Sequence, residues 1–140
     1  MAASLQKRGY ESFLPLHLRV SQDSKKSELP LFPGYVFCRS EIGKTLPILS
    51  TPGVFSIVGF GPTPAFIADQ EIDGIKRLLR LGLKPQPWAY IAPGQQVCLK
   101  TGPLRGVEGV ILNDDHQKWI VVSVHLLQRS VGVRIDRTYL

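Results

Sequence analysis

The sequence has 140 residues, with 17 Lys and Arg against 11 Asp and Glu, which gives a net charge of +6. Its hydrophobic content of 44% is enough for a folded core and excludes a wholly disordered chain. No stretch reaches the roughly 18 consecutive apolar residues of a membrane span. The charged start lacks the apolar stretch of a signal peptide, so we expect a cytoplasmic protein without membrane contact. The positive charge is spread along the chain, which favours at most a weak contact with nucleic acid.

The residue types that most often carry chemistry form no recognisable site. Cys38 and Cys98 lie far apart without the spacing of a zinc ligand set, so we expect two small core residues and no metal. The three histidines are isolated in the sequence and are interpreted as structural or surface residues: His17, His116 and His125. No nucleophile elbow or phosphate-binding glycine motif is present. The sequence therefore predicts a protein that is not an enzyme and has no cofactor.

Helical patterns occur three times in the first part of the chain. Residues 2–8 are strong helix formers that end at Gly9, and a short helix is expected over 44–49. From Ile72 onward the apolar residues recur every three to four positions. This period predicts a helix over 70–81, with Asp69 as its N-cap and Gly82 at its end.

Strand patterns lie between these helices. We expect one small sheet from the strands at 10–20, 35–39 and 54–60, the first interrupted at Pro15. The polar residues 21–28 are interpreted as a hairpin loop, and 29–34 as an apolar turn. The fold class predicted for this region is therefore α+β, with a small sheet and flanking helices.

The remainder of the chain changes to an all-β pattern. Three prolines between residues 83 and 93 argue against a regular element there and predict a linker. Beyond it, four short strands at near-even spacing predict a small closed barrel: 95–100, 108–113, 118–124 and 131–135. The predicted organisation is an α+β domain over 1–83, a linker over 84–92 and a β-barrel domain over 93–140.

Two segments are more specific than the rest. In the first, LPLFPGYVF, Pro33 and Gly34 fit a tight turn in which glycine adopts a positive φ. Residues 32–60 contain five aromatic residues: Phe32, Tyr35, Phe37, Phe55 and Phe60. One interpretation is core packing. The other is that a single small sheet cannot hide all five rings, so that some form an apolar surface for a protein partner.

The second segment, PGQQVCLKTGPLRGVEGVI, runs from strand through a glycine-rich loop to strand. The spacing of Gly102, Gly106 and Gly109 indicates positive φ angles or a close approach of backbone. No helix follows this loop, which argues against phosphate binding. A structural turn is the simpler interpretation of the three glycines.

Together the two segments resemble the NusG family of transcription elongation factors. LFPGYVF followed by TPGVFSIVGF resembles the family's N-terminal domain, and PGQQVCLKTGPLRGVEGVI followed by WIVVSVHLLQRSVGVRID resembles its C-terminal KOW barrel. The resemblance runs from about residue 2 to Tyr139 in the family's domain order. A specialised branch, RfaH-like or acting on polysaccharide operons, stays open.

The resemblance implies a monomeric protein without a cofactor that binds the clamp helices of RNA polymerase and suppresses pausing. Four residues match the apolar pocket of the N-terminal domain: Phe32, Tyr35, Phe37 and Phe60. The barrel is then expected to recruit Rho or a small-subunit ribosomal protein through the loop that contains Leu126, Leu127 and Arg129.

Family members begin with a strand of the type Trp-Tyr-x-Val and a longer first helix. We expect this sequence to begin within that helix, either from a misplaced start codon or as a fragment, with weakened polymerase binding. The alternative function is an RNA- or ribosome-binding KOW protein. It requires a basic stripe, for which the barrel offers Lys100, Arg105, Lys118, Arg129 and Arg134.

Overall fold

A computed structural model describes residues 2–20, 22–40, 46–60, 63–91, 97–100, 102–114 and 116–135. It contains both helices and sheets, with a five-stranded antiparallel sheet toward the C-terminus. In chain order the elements are α1 (Ala2–Lys7), β1 (Ser12–Phe13), β2 (Leu16–Val20), β3 (Lys26–Pro30), β4 (Phe37–Cys38), α2 (Leu46–Leu49), β5 (Gly59–Phe60), β6 (Thr63–Pro64), α3 (Asp69–Arg80), β7 (Gln86–Trp88), β8 (Val97–Cys98), β9 (Glu108–Asp114), β10 (Gln117–Val124), a 3-10 turn (His125–Leu127) and β11 (Arg129–Ile135).

The chain divides into two compact units. Unit 1 consists of Met1–Leu14 and Phe32–Phe66, and unit 2 of Pro15–Leu31 and Ile67–Leu140. Within the described ranges, none of the helices has both the length and the apolar character that crossing a membrane requires.

Unit 1 begins with α1, whose end matches the prediction. Gly9 has φ +87°, and the N–H of Tyr10 donates to the carbonyl of Leu5 over 3.1 Å. The N–H of Gly9 donates to the carbonyl of Gln6 over 3.0 Å, so that two of the last helical carbonyls are satisfied. The side chain of Leu5 is buried and anchors this helix in the core. The short helix expected at 44–49 is present as α2, with residues 44 and 45 outside the described part.

Among the described residues of the N-terminal region, the predicted three-stranded sheet is not found. The strand expected at 10–20 breaks before Pro15, and its two halves pair differently: β1 with β4, and β2 with β3. Of the strand expected at 54–60, only β5 forms, and it pairs with β6. A proline lacks the N–H that backbone pairing requires, so it interrupts a strand. A strand also ends where no neighbouring strand is present to form hydrogen bonds with it. Short two-stranded ladders therefore replace one sheet.

The hairpin β2–β3 corrects the prediction of a polar loop over 21–28. Residues 26–30 pair antiparallel with 16–20, from Leu16 opposite Pro30 to Val20 opposite Lys26. The side chains of Lys26 and Glu28 are exposed. A polar sequence favours a loop when it is judged alone, but a strand whose side chains face solvent needs no apolar alternation.

Helix α3 forms where the apolar period predicts it, one residue earlier at each end. Its cap is Ala68, in an extended conformation and without a side-chain bond, so the prediction of Asp69 as N-cap is wrong. Asp69 instead lies in the first turn, where a carboxylate favours the helix dipole. At the other end Gly82 has φ +75°, and the N–H of Leu83 donates to the carbonyl of Leu78.

The C-terminal sheet has the strand order β7-β11-β10-β9-β8. Its long ladders join β10 to β11, from Lys118 opposite Ile135 to Val124 opposite Arg129, and β10 to β9. All four predicted strands are present with shifted ends. Residues 120–124 are buried throughout, which means that the sheet is covered on both of its faces there.

Strand β7 lies in the segment 84–92, for which the sequence predicts no regular element; that expectation is wrong for residues 86–88, and the role of the segment as a linker stays a prediction. They pair with β11, with Trp88 opposite Ser130 and Pro87 opposite Val131. Proline is tolerated here because β7 is the edge of the sheet and its outer side needs no donor. The indole of Trp88 lies over Gly132 and contacts Trp119 with a centroid distance of 4.8 Å.

Helix α3 packs on the C-terminal sheet within unit 2. At Gly74 a Cβ atom would lie 3.8 Å from a methyl group of Val122 and 3.9 Å from one of Val107. Ile75 and Leu78 are fully buried on the same helix. The predicted domain boundary at residue 83 stays a prediction.

Neither cysteine is a fully buried core residue. Cys98 in β8 is exposed, so its prediction as a core residue is wrong, whereas Cys38 in β4 is half-buried. Cys98 lies in a two-residue strand at the edge of the C-terminal sheet, where fewer described residues can cover a side chain. Burial raises the pKa of the Cys38 thiol.

Candidate interaction surfaces

The turn before Tyr35 has the predicted geometry. Gly34 has φ +85°, and the N–H of Tyr35 donates to the carbonyl of Phe32 over 3.0 Å. A Cβ at Gly34 would meet no atom within 4 Å, so backbone conformation alone favours glycine there. The turn leaves the side chain of Tyr35 half-buried at the start of the aromatic segment.

Two of the four predicted pocket residues belong to the core of unit 1. Phe32 is 1% exposed and Phe37 8% exposed. Their rings meet edge to face with a centroid distance of 5.4 Å, and the ring centroids of Phe13 and Phe37 are 6.0 Å apart. Buried rings such as these stabilise the residues of a binding surface rather than contact a partner directly. The side chain of Phe60 lies outside the described part, and a role of these residues in polymerase binding stays a prediction.

The exposed apolar side chains concentrate in unit 1. In the described part, six of the nine large exposed apolar residues belong to this unit: Leu14, Leu46, Leu49, Phe55, Val58 and Phe66. Phe55 is fully exposed, in agreement with the argument that five aromatic rings cannot all be hidden. Sequence reasoning missed Leu46 and Phe66, because local pattern alone does not tell which apolar side chains lack a tertiary neighbour.

The predicted C-terminal partner residues lie together on one turn. Leu126 and Leu127 belong to the 3-10 turn and are half-buried, and Arg129 begins β11 with an exposed side chain. Gln128 between them is left-handed, with φ +52°, and its N–H donates to the carbonyl of His125 over 3.1 Å. The three residues thus form one continuous surface element at the β10–β11 connection.

A polar network that the sequence did not predict surrounds the first residue of this turn. The hydroxyl of Tyr90 lies 2.9 Å from Nδ1 of His125, and the two rings meet edge to face. Beside them the hydroxyls of Ser123 and Ser130 are 2.6 Å apart, and the N–H of Ile91 donates to Ser130 Oγ over 3.2 Å. Both serines are buried, so this network satisfies polar groups that water does not reach.

A small cavity of about 110 Å³ opens between α3 and the sheet, on the other side of His125. Its lining includes Glu71, Glu108, Ser123 and His125. Burial raises the pKa of Glu71, although the backbone N–H of His125, which donates to this carboxylate, opposes the shift. The amide of Gln70 donates to Glu108 over 2.9 Å. The described residues hold no group of three His, Cys, Asp or Glu side chains arranged for a metal ion.

The three glycines of the second motif meet the prediction. Gly102 and Gly106 have φ of +81° and +88°. At Gly109 a Cβ would lie 2.5 Å from the carbonyl oxygen of Val121 in the neighbouring strand, which is too close for any other residue. The same loop contacts helix α3, because the guanidinium of Arg77 donates a hydrogen bond to the carbonyl of Arg105 over 2.7 Å.

The basic residues of the C-terminal sheet do not follow one line. In the β10–β11 register, Lys118 and Arg129 share a face but lie at opposite ends of the ladder, which separates them by about 20 Å. Arg134, opposite Trp119, lies on the other face. These three residues therefore do not form one stripe, and the RNA-binding alternative stays a prediction.

The first 76 residues match a family model, which is described as transcription termination factor nusG. The chain is 34% identical over 117 residues to the transcription termination/antitermination protein NusG of Escherichia coli K12, and equally to that of Yersinia pestis. These matches span 80% of this chain and 65% of each relative. No solved structure matches. The chain belongs to the NusG family, whose members are transcription factors and not enzymes.

Proposed function

We propose that this chain is a transcription elongation and antitermination factor. It binds the clamp helices of RNA polymerase through its N-terminal domain, predicted over 1–83, and recruits Rho or a small-subunit ribosomal protein through a KOW-type C-terminal domain, predicted over 93–140. The observation that carries the proposal is the family membership, because the matched relatives are named for termination and antitermination.

Two features of the surface support this assignment. The exposed apolar side chains are concentrated in unit 1, as expected for a surface that binds a protein rather than nucleic acid. In the C-terminal sheet, the 3-10 turn carries two half-buried leucines next to an exposed arginine. Apolar residues beside an arginine are typical of the centre of a protein interface.

The test is binding of the full chain to RNA polymerase core enzyme. Phe55→Ala and Tyr35→Ala are each expected to weaken binding by about tenfold or more, since an aromatic anchor often contributes ~2 kcal/mol. The matched control is Val97→Ala, which removes an exposed apolar side chain from β8 of the C-terminal sheet, outside the proposed polymerase-binding domain. Thermal unfolding measured on the same samples separates lost contacts from lost folding.

Each outcome has a defined meaning. Weaker binding with an unchanged melting temperature supports the polymerase-binding surface. If the chain does not bind polymerase but binds a structured RNA, with an affinity that falls strongly as salt rises, the RNA-binding alternative is favoured. If Tyr35→Ala lowers the melting temperature and leaves binding by the folded fraction unchanged, Tyr35 is a core residue only.

A further inference from the structure

The 3-10 turn with the predicted partner residues has a conformation that its own sequence does not favour. Gln128 occupies the left-handed region at φ +52°, which costs a residue with a side chain about 1–2 kcal/mol. Glycine, the residue that adopts this conformation freely, is absent from the turn. Contacts from outside the turn must therefore help to hold it.

Two other parts of the chain supply such contacts, and both contact His125. From one side the Tyr90 hydroxyl meets the imidazole Nδ1 at 2.9 Å, with the tyrosine ring edge to face against it. From the other side the carboxylate of Glu71 in α3 accepts the backbone N–H of the same residue. The first residue of the turn is thus held through its ring and through its backbone.

The position of Tyr90 is itself fixed by its neighbours in the chain. Two residues earlier, Trp88 pairs with Ser130 in the sheet, and its ring contacts that of Trp119 in a tilted arrangement. One residue later, the N–H of Ile91 donates to the Ser130 hydroxyl. The Tyr90 hydroxyl therefore extends from a segment that is anchored at both sides, and the segment 86–91 acts as a rigid support rather than a flexible connection.

We propose that Tyr90 is a positioning residue for partner recruitment: through its hydrogen bond to His125 it holds the turn that presents Leu126, Leu127 and Arg129. This inference rests on the proposed function, because it concerns the same partner surface. It adds that the segment predicted as a linker determines the conformation of the recruiting turn. The affinity of a partner for the turn then depends on whether residues 86–91 are packed on the sheet.

The test uses the full chain with Tyr90→Phe, which retains the ring and removes the hydroxyl. Hydrogen exchange of the amides at 126–129 is expected to become about fivefold faster, the effect of one neutral hydrogen bond. Exchange in β10 should stay unchanged. Dissociation constants for purified Rho and for small ribosomal subunits are measured in parallel, and the one that binds should bind about fivefold more weakly. Tyr10→Phe makes the same chemical change in unit 1 and is the control.

A second pair of variants distinguishes positioning from general stability. In His125→Asn, the amide oxygen takes the place of Nδ1 and can still accept the Tyr90 hydroxyl, so slow exchange and binding should be retained. In His125→Leu both should be lost. Adding Tyr90→Phe to His125→Leu should change nothing more, because the bond is already absent.

The outcomes separate this inference from the proposed function. If exchange at 126–129 is the same in Tyr90→Phe and the parent chain, or rises without any loss of binding, the positioning role is overturned. If the turn loosens as expected but the parent chain binds neither Rho nor the ribosomal subunit, partner recruitment is overturned while Tyr90 still holds the turn. Faster exchange together with weaker binding, restored in His125→Asn, supports both.

Discussion

Replacing Trp88 with alanine tests whether the segment before the C-terminal sheet is part of that sheet. The indole covers Gly132 and lies 4.8 Å from the ring of Trp119. A fully buried tryptophan costs about 3–5 kcal/mol when truncated to alanine, and Trp88 is half-buried. The aromatic pair adds about 1 kcal/mol. We therefore expect Trp88→Ala to lower the free energy of unfolding of the C-terminal sheet by about 2–3 kcal/mol.

Gly132 provides an internal check on this value. A Cβ atom at this position would lie 2.5 Å from Cε3 of Trp88, and the ring cannot give way without leaving Trp119. Gly132→Ala should therefore cost about 1–3 kcal/mol in the parent chain. In the Trp88→Ala background the same substitution should cost close to nothing. The two changes should thus be strongly non-additive.

The measurement is a urea titration followed by the fluorescence of Trp119, the only other tryptophan of the chain. Exchange of the β11 amides in the same samples shows that the transition belongs to this sheet. Trp88→Phe, which keeps an aromatic ring, should lose less stability than Trp88→Ala. A loss below about 0.5 kcal/mol in Trp88→Ala, or equal costs of Gly132→Ala in both backgrounds, would show that residues 86–88 behave as a free linker.

Three further predictions follow from packing, burial and hydrogen bonding. Gly109→Ala should destabilise the sheet by about 2 kcal/mol or more in a urea titration, because its Cβ would meet the backbone oxygen of Val121. The pKa of Glu71 is raised by burial, so this group stabilises the fold below its unfolded pKa and loses that contribution as pH rises through the folded value. Glu71→Gln should then raise stability near pH 7, by at most about 0.5 kcal/mol because solvent screens this partly exposed group, and flatten the dependence on pH in thermal unfolding between acidic and neutral pH. Amides of residues 55–58, outside any ladder, should exchange much faster than those of β10, and equal protection would contradict the fold described for unit 1.

The sequence predicted best those elements whose signal is local. Helix α3 has a regular apolar period, and Gly34, Gly102 and Gly106 adopt the positive φ angles that their turns require. The strands of the C-terminal sheet alternate with clear turn residues. Where pairing depends on a distant partner, prediction failed. The prolines at 85 and 87 indicate a break only if the neighbouring strand is unknown, and β11 supplies that neighbour.

The same distinction applies to the candidate surfaces. Motif matching grouped Leu126, Leu127 and Arg129, which are close in sequence and therefore close in space. It could not tell that Phe32 is buried and Phe55 is exposed, because the two rings differ in tertiary surroundings and not in local pattern. The Tyr90–His125 bond joins two residues that are 35 positions apart in the sequence, and no local pattern indicates it.

The two cysteines give the native chain one chemical handle in each unit. Cys98 in unit 2 is exposed, whereas the thiol of Cys38 in unit 1 is half-buried and has a raised pKa. Because the thiolate is the form that reacts with maleimides, a first dye added at neutral pH should attach to Cys98, and a second dye added at higher pH to Cys38. Energy transfer between two such dyes would report the distance between one position in each unit without any engineered residue.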